Sequence, residues 1–208
     1  MSAPGMPPGP PLTPGSVRLP TGMPWWGWLL IALVSGLVAL VALLALLGAF
    51  GGRAEPTPPP ATPEPSGYVY GSADFPFEVT FPGPPERAVA PQSVAGFDLE
   101  LVTVSWAQGD LEVVLAATEF PAGLLPDGPS DEVLQASLEG AAANVGGVLQ
   151  DVAFVEVAGE RALTGTIRAG STLYATVLFH DLVQYSLLTH DGTSEQHAAF
   201  VESLHFLD

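Results

Sequence analysis

The side chains of this sequence best suited to metal or proton chemistry are four histidines in its C-terminal part. His180 and His190 each precede an aspartate at the predicted end of a strand, where Asp favours turns. No HExxH or other close ligand pair occurs. We therefore predict turn and surface histidines and no metal site. The four are His180, His190, His197 and His205.

A hydrolytic Ser-His-Asp arrangement is the second chemistry that these residue types permit. No serine lies in a G-x-S-x-G elbow, and spacing does not reveal pairing in space. The carboxylates of Asp131 and Glu132 are better explained by the start of a helix, whose dipole favours negative charge. The sequence therefore predicts no catalytic or cofactor-binding residue, and a hydrolase stays the third of three hypotheses. The serines considered are Ser137, Ser171, Ser186 and Ser203.

The acidic residues contain no calcium-binding loop of the EF-hand type. Residues 127–131 lack the alternating ligands and the distal glutamate of an EF-hand. Weak calcium binding by surface carboxylates stays open at extracellular concentrations. No metal site or cofactor is predicted.

The charge balance excludes one class of partner. The 208 residues carry 22 Asp and Glu against five Lys and Arg, a formal net charge of −17, and all five cations are arginine. Such a chain cannot neutralise a run of phosphates, so we exclude nucleic acid. The absence of cysteine excludes disulfides and cysteine-ligated metal centres. The lack of lysine and the single asparagine are typical of a GC-rich bacterial genome.

Three segments precede the predicted globular domain. Residues 1–24 are rich in Pro and Gly and predict a disordered tail, because they cannot bury enough apolar surface to offset ordering. Residues 25–50 carry no charge and three leading tryptophans, which suit a membrane interface. As a helix they would extend ~39 Å, enough to cross a hydrocarbon core of about 30 Å. Residues 51–67 are rich in Pro and Thr and predict an extended stalk.

We expect the span to be uncleaved, with the tail in the cytoplasm and residues 68–208 outside the cell membrane. The apolar run is longer than the core of a signal peptide. Arg18 and Arg53 flank it, so the positive-inside bias is slight, and an acidic domain translocates largely regardless of its carboxylates. Small residues at Ala32 and Gly36 leave open a weak homodimer through the span.

Residues 68–208 have the size of one domain and mostly the periodicity of strands. Residues 77–81 alternate strictly between apolar and polar. Residues 97–118 predict a hairpin in which the apolar parity switches, through a bulge or because the two halves of a strand face different layers. Trp106 on this hairpin is predicted to pack in the core rather than to bind a ligand. Further strands are predicted at 148–157, 161–169, 171–179 and 182–190.

Two helices accompany these strands. Ser130 is the predicted N-cap of the first, over 131–145, which Gly146-Gly147 ends. Thr193 opens a capping box that begins the second, over 194–203. The order of elements predicts an α+β class, with helices packed on an antiparallel sheet. The side chains predicted to face the sheet from the second helix and its end are Ala199, Phe200 and Leu204.

Four short motifs carry a family resemblance. They are the Phe-x-Val-x-Phe-Pro-Gly-x-Pro of 77–85, the Gly-Gly of 146–147, a Gly-Glu-Arg-Ala turn within 155–162 and the terminal pattern of 198–206. With them residues 68–208 resemble the extracytoplasmic PsbP/Mog1-like domains attached to bacterial membranes. The resemblance implies a curved antiparallel sheet between helices and no shared catalytic residue. Plant members act at photosystems and fungal members bind a small GTPase, but no stretch here matches either interface.

Together these features predict a membrane-anchored, non-enzymatic interaction or accessory module of the bacterial cell envelope. Its partner would be another envelope protein, and an acidic surface suits a basic partner. The alternative is a domain that binds a small ligand, such as a lipid or envelope precursor. That hypothesis places an apolar pocket between the sheet and the helix at 131–145.

Overall fold

The structure, a computed structural model, describes residues 67–207 except 95–96, 122–124 and 126–128. The predicted tail, the predicted span and nearly all of the predicted stalk lie outside the described residues. Among the described residues, no helix is long and apolar enough to cross a bilayer.

Strands dominate the described residues and two helices accompany them, so the α+β prediction is confirmed. The strands are β1 (Tyr68–Gly71), β2 (Phe77–Phe81), β3 (Glu86–Val94), β4 (Phe97–Gln108), β5 (Leu111–Glu119), β6 (Val148–Val157), β7 (Glu160–Arg168), β8 (Thr172–His180), β9 (Val183–His190) and β10 (His205–Phe206). The helices are α1 (Asp131–Asn144) and α2 (Ser194–Glu202).

Seven strands form one antiparallel sheet in the order β3-β4-β5-β9-β8-β7-β6. Most neighbours in it are consecutive in the chain, because each hairpin follows from a short turn. The β5–β9 pair joins the two halves of the domain, with Val113 opposite Thr189. A second, three-stranded sheet has the order β1-β2-β10.

Helix α1 covers one face of the large sheet. Its apolar stripe packs on alternate residues of the strands, and Leu138 at its centre is fully buried. Gly165 lets the helix come this close, because a Cβ there would lie 3.0 Å from Leu138 Cδ2 and from Leu149 Cδ1. The same cluster includes Leu99, Leu101, Val114, Leu163, Ile167 and Val177.

The small sheet and α2 cover the opposite face. Phe77, Val79 and Phe81 of β2 are fully buried, as their alternation predicts. Phe200 and Leu204 also pack into this cluster, whereas Ala199 is exposed, so its predicted inward position is wrong. The remaining members of this cluster include Val104, Leu115, Tyr185 and Leu187.

The parity switch in β4 has a structural cause. Leu99 and Leu101 pack with α1, while Val104 belongs to the cluster on the opposite face. The pairing of β4 with both neighbours is continuous, so its two halves face different layers without a bulge. Trp106 is partly buried and packs against the second cluster, which confirms its predicted packing role.

Both helices begin at the predicted residue and end within one residue of the predicted end. Gly146 has a φ of 63°, and the amides of Gly146 and Gly147 bond to the carbonyls of Ala143 and Ala142, as in a Schellman motif. Thr193 forms the predicted capping box with Gln196. Ser130 is the N-cap residue, but its side chain makes no cap hydrogen bond.

Strands β1 and β3 were not predicted. β3 holds Pro91 and begins with Glu86 and Arg87, a composition that disfavours a central strand but is tolerated at a sheet edge. Tyr68 to Gly71 follows the proline-rich stretch directly, so no alternation precedes it to mark a strand.

Candidate functional site

A cleft of about 540 Å³ opens between β6, β7 and β8 on one side and α2 on the other. The helix contributes one face to it, at spacings of three and four residues. His197 contacts Tyr174 and Thr176 near the start of β8, and Val201 shares a buried cluster with Leu178 near its end. Helix α2 therefore runs along β8 in the same direction. The helix residues that line the cleft are Ser194, His197, Ala198, Val201 and Glu202.

His197 lies at the inner wall of the cleft and bonds to two threonines. Its Nε2 lies 2.9 Å from Thr176 Oγ1, and its Nδ1 lies 3.0 Å from Thr189 Oγ1. Thr176 in turn donates to Thr164 Oγ1 over 3.0 Å, and Thr164 donates to the carbonyl of Ala175 over 3.2 Å.

The direction of these bonds fixes the tautomer of the imidazole. A hydroxyl has a single hydrogen. Thr164 uses its hydrogen on a carbonyl, which can only accept, and Thr176 uses its own on Thr164. Thr176 must therefore accept from His197, so the ring proton is on Nε2 and Nδ1 accepts from Thr189.

Burial lowers the pKa of His197 from 6.5 to about 4, because desolvation disfavours the charged imidazolium. The side chain is 6% exposed, so the prediction of a turn or surface histidine is wrong here. A neutral imidazole whose two nitrogens are both bonded has no free lone pair for a metal or a substrate proton. The arrangement holds α2 on the sheet.

The rest of the lining divides into an apolar and a polar end. Val155 and Val157 line the cleft where β6 ends, and Val201 lines it from α2 and shares a buried cluster with Val157. Thr166 and Arg168 line the other end, with Tyr174 across from them. Arg168 donates to the hydroxyl of Thr172. Within the part of the chain that the structure describes, no carboxylate lies within 4.0 Å of this guanidinium.

Among the residues that the structure describes, Ser171 and His190 form a serine–histidine pair. Ser171 Oγ lies 2.8 Å from His190 Nε2. Asp191 approaches the same nitrogen at 3.7 Å, whereas a triad carboxylate holds the other ring nitrogen. The Asp therefore does not orient the ring for general-base work. Ser137 is used differently, donating to the carbonyl of Val133 inside α1.

The other two histidines lie at strand ends or on the surface, as predicted. His180 Nδ1 is 2.9 Å from Glu160 Oε1, and the ring stacks on Phe206 at 4.0 Å between centroids. His205 is exposed. Among the described residues, no three His, Asp or Glu side chains are grouped to hold a metal ion. The stretch compared with an EF-hand includes 127–128, outside the described residues.

The two carboxylates at the start of α1 have separate partners. Asp131 pairs through both oxygens with Arg161, at 2.6 and 2.8 Å, which lowers the pKa of that carboxyl. Hydrogen bonds from Ser130 and from its own amide lower the pKa of Glu132. Asp131 thus ties α1 to β7, while Glu132 stays at the helix N-terminus as predicted.

The cleft is not where the sequence placed a pocket. Side chains fill the space between α1 and the sheet, including Leu138, Leu163 and Ile167. The one sequence feature that could have indicated the cleft is threonine at inward parity on adjacent strands, at Thr164, Thr166 and Thr176.

The elements define an α+β domain whose antiparallel sheet is covered on both faces. Its architecture is similar to the solution structure of cyanobacterial PsbP (CyanoP) from Synechocystis sp. PCC 6803. The TM-score is 0.50 at 12% sequence identity, and the match covers 76% of this chain and 99% of that chain. The chain therefore has a PsbP-like fold. No protein-family model matches the sequence, and no curated protein matches it.

Proposed function

We propose that this chain is a membrane-anchored, non-catalytic accessory module of the bacterial cell envelope that binds another envelope protein. The apolar segment 25–50 would anchor it with its N-terminus in the cytoplasm, and residues 51–67 would hold the domain clear of the bilayer outside.

The observation that carries the non-catalytic part is how the candidate reactive groups are used. His197 has both nitrogens bonded to threonines, and Asp191 is placed on the wrong nitrogen of His190 for a triad. A general base needs a free lone pair within reach of a substrate proton. The PsbP-like fold is compatible with this proposal, and we take only the fold from that likeness.

The test compares two proteins crosslinked in intact cells, the full-length chain and a version ending after Ser66. Purification and mass spectrometry then identify what each retains. We expect one envelope protein that is enriched with the full-length chain and lost with the truncated one. The same partners on both versions would contradict the proposal, because the tail and span alone would then account for binding.

Orientation has its own test, protease added to intact cells. We expect cleavage of the domain at the outer surface, whereas a domain protected until the cells are lysed would place it in the cytoplasm. A dimer through Ala32 and Gly36 would appear as a crosslinked pair that the truncated version also forms.

Binding of a small ligand is the second candidate function, and the 540 Å³ cleft is the observation that favours it. The ligand would bind in this cleft, because the space beneath α1 is filled by side chains. A ligand-induced rise in melting temperature that disappears in an Arg168→Gln variant would support it. Full-length protein that shows no shift with lipids or cell-wall precursors would count against it.

A further inference from the structure

We propose that the outer edge of β6 binds an extended, basic segment of the partner protein, which adds to the large sheet as a further strand. This inference rests on the proposed function and names the surface and the kind of partner.

β6 is one of the two edge strands of the large sheet. It pairs with β7 on one side, and no strand lies on its other side among the described residues. The strand is ten residues long, so a row of backbone donors and acceptors faces outwards. Four apolar side chains along it are exposed, which are Val148 (62%), Val152 (47%), Phe154 (42%) and Val155 (37%).

The opposite edge of the same sheet differs. β3 carries Pro91, which lacks a backbone donor, and the charged residues Glu86 and Arg87, features that discourage strand addition. β6 has no proline, and its two charged residues, Asp151 and Glu156, are both acidic. Of these two edges, as far as the structure describes them, β6 is the one without proline and with four exposed apolar side chains.

One part of β6, residues 153–157, is better suited to pairing with an added strand than the rest. The pairing with β7 shifts between Gln150 and Ala153, and Asp151 has a φ of 52°. Such a bulge twists an edge away from an added strand. Residues 153–157 lie beyond it in continuous register with β7, so the added segment pairs there.

The side chains around 153–157 can contact side chains of an added strand on both faces of the sheet. Val155, Val157 and Val201 form the apolar end of the cleft, which receives an alternate side chain of the added strand. On the other face the guanidinium of Arg161 lies 4.2 Å from the centroid of Phe154. Arg161 is paired with Asp131 and lies directly opposite Glu156, so these two carboxylates offset its positive charge.

Charge selects the partner. Glu156 lies on the strand itself, and Glu202 lines the same end of the cleft from α2. The chain as a whole carries −17. A Lys- or Arg-rich segment is therefore attracted, whereas a second copy would bring its own Glu156 and the same net charge to the edge.

The first experiment measures binding of a fluorescein-labelled peptide of alternating lysine and valine to the full-length chain in detergent. Anisotropy compares wild type with Val155→Lys, and with Val89→Lys on β3 as the matched control, since Val89 is 43% exposed. We expect about tenfold weaker binding for Val155→Lys and no more than about a twofold change for Val89→Lys. Equal weakening would show general charge attraction and overturn the proposal.

The second measurement locates the contact by amide hydrogen exchange. We expect the peptide to slow exchange at 153–157 and to leave β3 unchanged. Protection elsewhere would overturn the site, and protection of 153–157 without peptide, together with a dimer by light scattering, would replace the partner with a second copy.

Crosslinking separates this inference from the function on which it rests. If Val155→Lys captures the same envelope partner as wild type, the accessory function stands and the β6 site is wrong. If neither protein captures a domain-dependent partner, the proposed function itself fails.

Discussion

Each face of the large sheet is covered by a helix, but the space under α1 is filled by side chains whereas a cleft remains under α2. Under α1 the inward residues of β7 are Leu163 and Ile167, and the space is filled. Under α2 the neighbouring residues of the same strand are Thr164 and Thr166, and a cleft is left. A single strand therefore supplies both a sealed core and an open site, because successive side chains point to opposite faces.

The largest expected difference between the faces is in packing. Leu138→Ala should lower the free energy of unfolding by about 3–5 kcal/mol, because Leu138 is fully buried and its removal leaves a cavity. Val201→Ala on α2, beside the cleft, should cost about 1–2 kcal/mol, since fewer atoms are removed and the site is already open on one side. Urea unfolding measures the free energy of unfolding of both variants. Equal losses of stability would contradict the proposed difference in packing between the two faces.

The next largest effect is the pH dependence of the α2 face. The unfolded chain binds a proton at His197 near pH 6.5, whereas the folded domain resists it down to about pH 4. Stability from this group is therefore present above pH 6.5 and falls as the pH drops towards 4, by about 2–3 kcal/mol.

His197→Gln is the control for that titration. The glutamine amide can donate to Thr176 and accept from Thr189 without titrating. The difference in unfolding free energy between the two proteins should shrink between pH 7 and pH 4.5. A constant difference over that range would mean that His197 does not titrate as its burial implies.

A smaller effect tests the threonine bonds alone. Thr189→Val should cost about 1–2 kcal/mol, because Nδ1 of His197 loses its donor while staying buried. Thr166 is also buried, at 6% exposed, but has no side-chain hydrogen bond to lose within the described residues, so Thr166→Val should change stability by less than about 0.5 kcal/mol. Similar costs for both would show that threonine packing, not bonding, holds the helix.

The smallest effect is expected at the rim of the cleft. Arg168→Gln should leave the unfolding free energy within about 0.5 kcal/mol of wild type, because Arg168 is exposed and bonds to the hydroxyl of Thr172. Thermal melts of the two proteins provide the measurement. A larger loss would mean that the cleft rim supports the fold and is not a free surface.

The sequence predicts the elements whose signals lie in residues that are close together in the chain. The alternation of 77–81, the double glycine after α1 and the capping box at Thr193 each depend on neighbouring residues, and the structure contains all three. β3 was missed because Pro91 and its charges are typical of loops unless a strand is known to lie at an edge.

The site was harder because it depends on which strands meet. The sequence predicts a surface position for His197, because its partners Thr176 and Thr189 lie on two strands that are not adjacent to it in the chain. Their placement follows from the β8–β9 register and from the direction in which α2 crosses, neither of which periodicity encodes. Inward threonines on two adjacent strands were the one available indication.

The small sheet joins strands from the two ends of the described domain. β2 near the start of the described residues pairs with β10 near their end, and the amide of Thr80 bonds to Ser203 Oγ, 123 positions away. Phe77 packs on Tyr185 and Phe81 packs on Phe200, so a chain synthesised from its N-terminus leaves both phenylalanines without these partners until the second half of the domain is made. Such long-range contacts form late and slow the folding of a domain. The small sheet is therefore complete only once the last strand of the domain, which is made at the end of synthesis, is available to pair with β2.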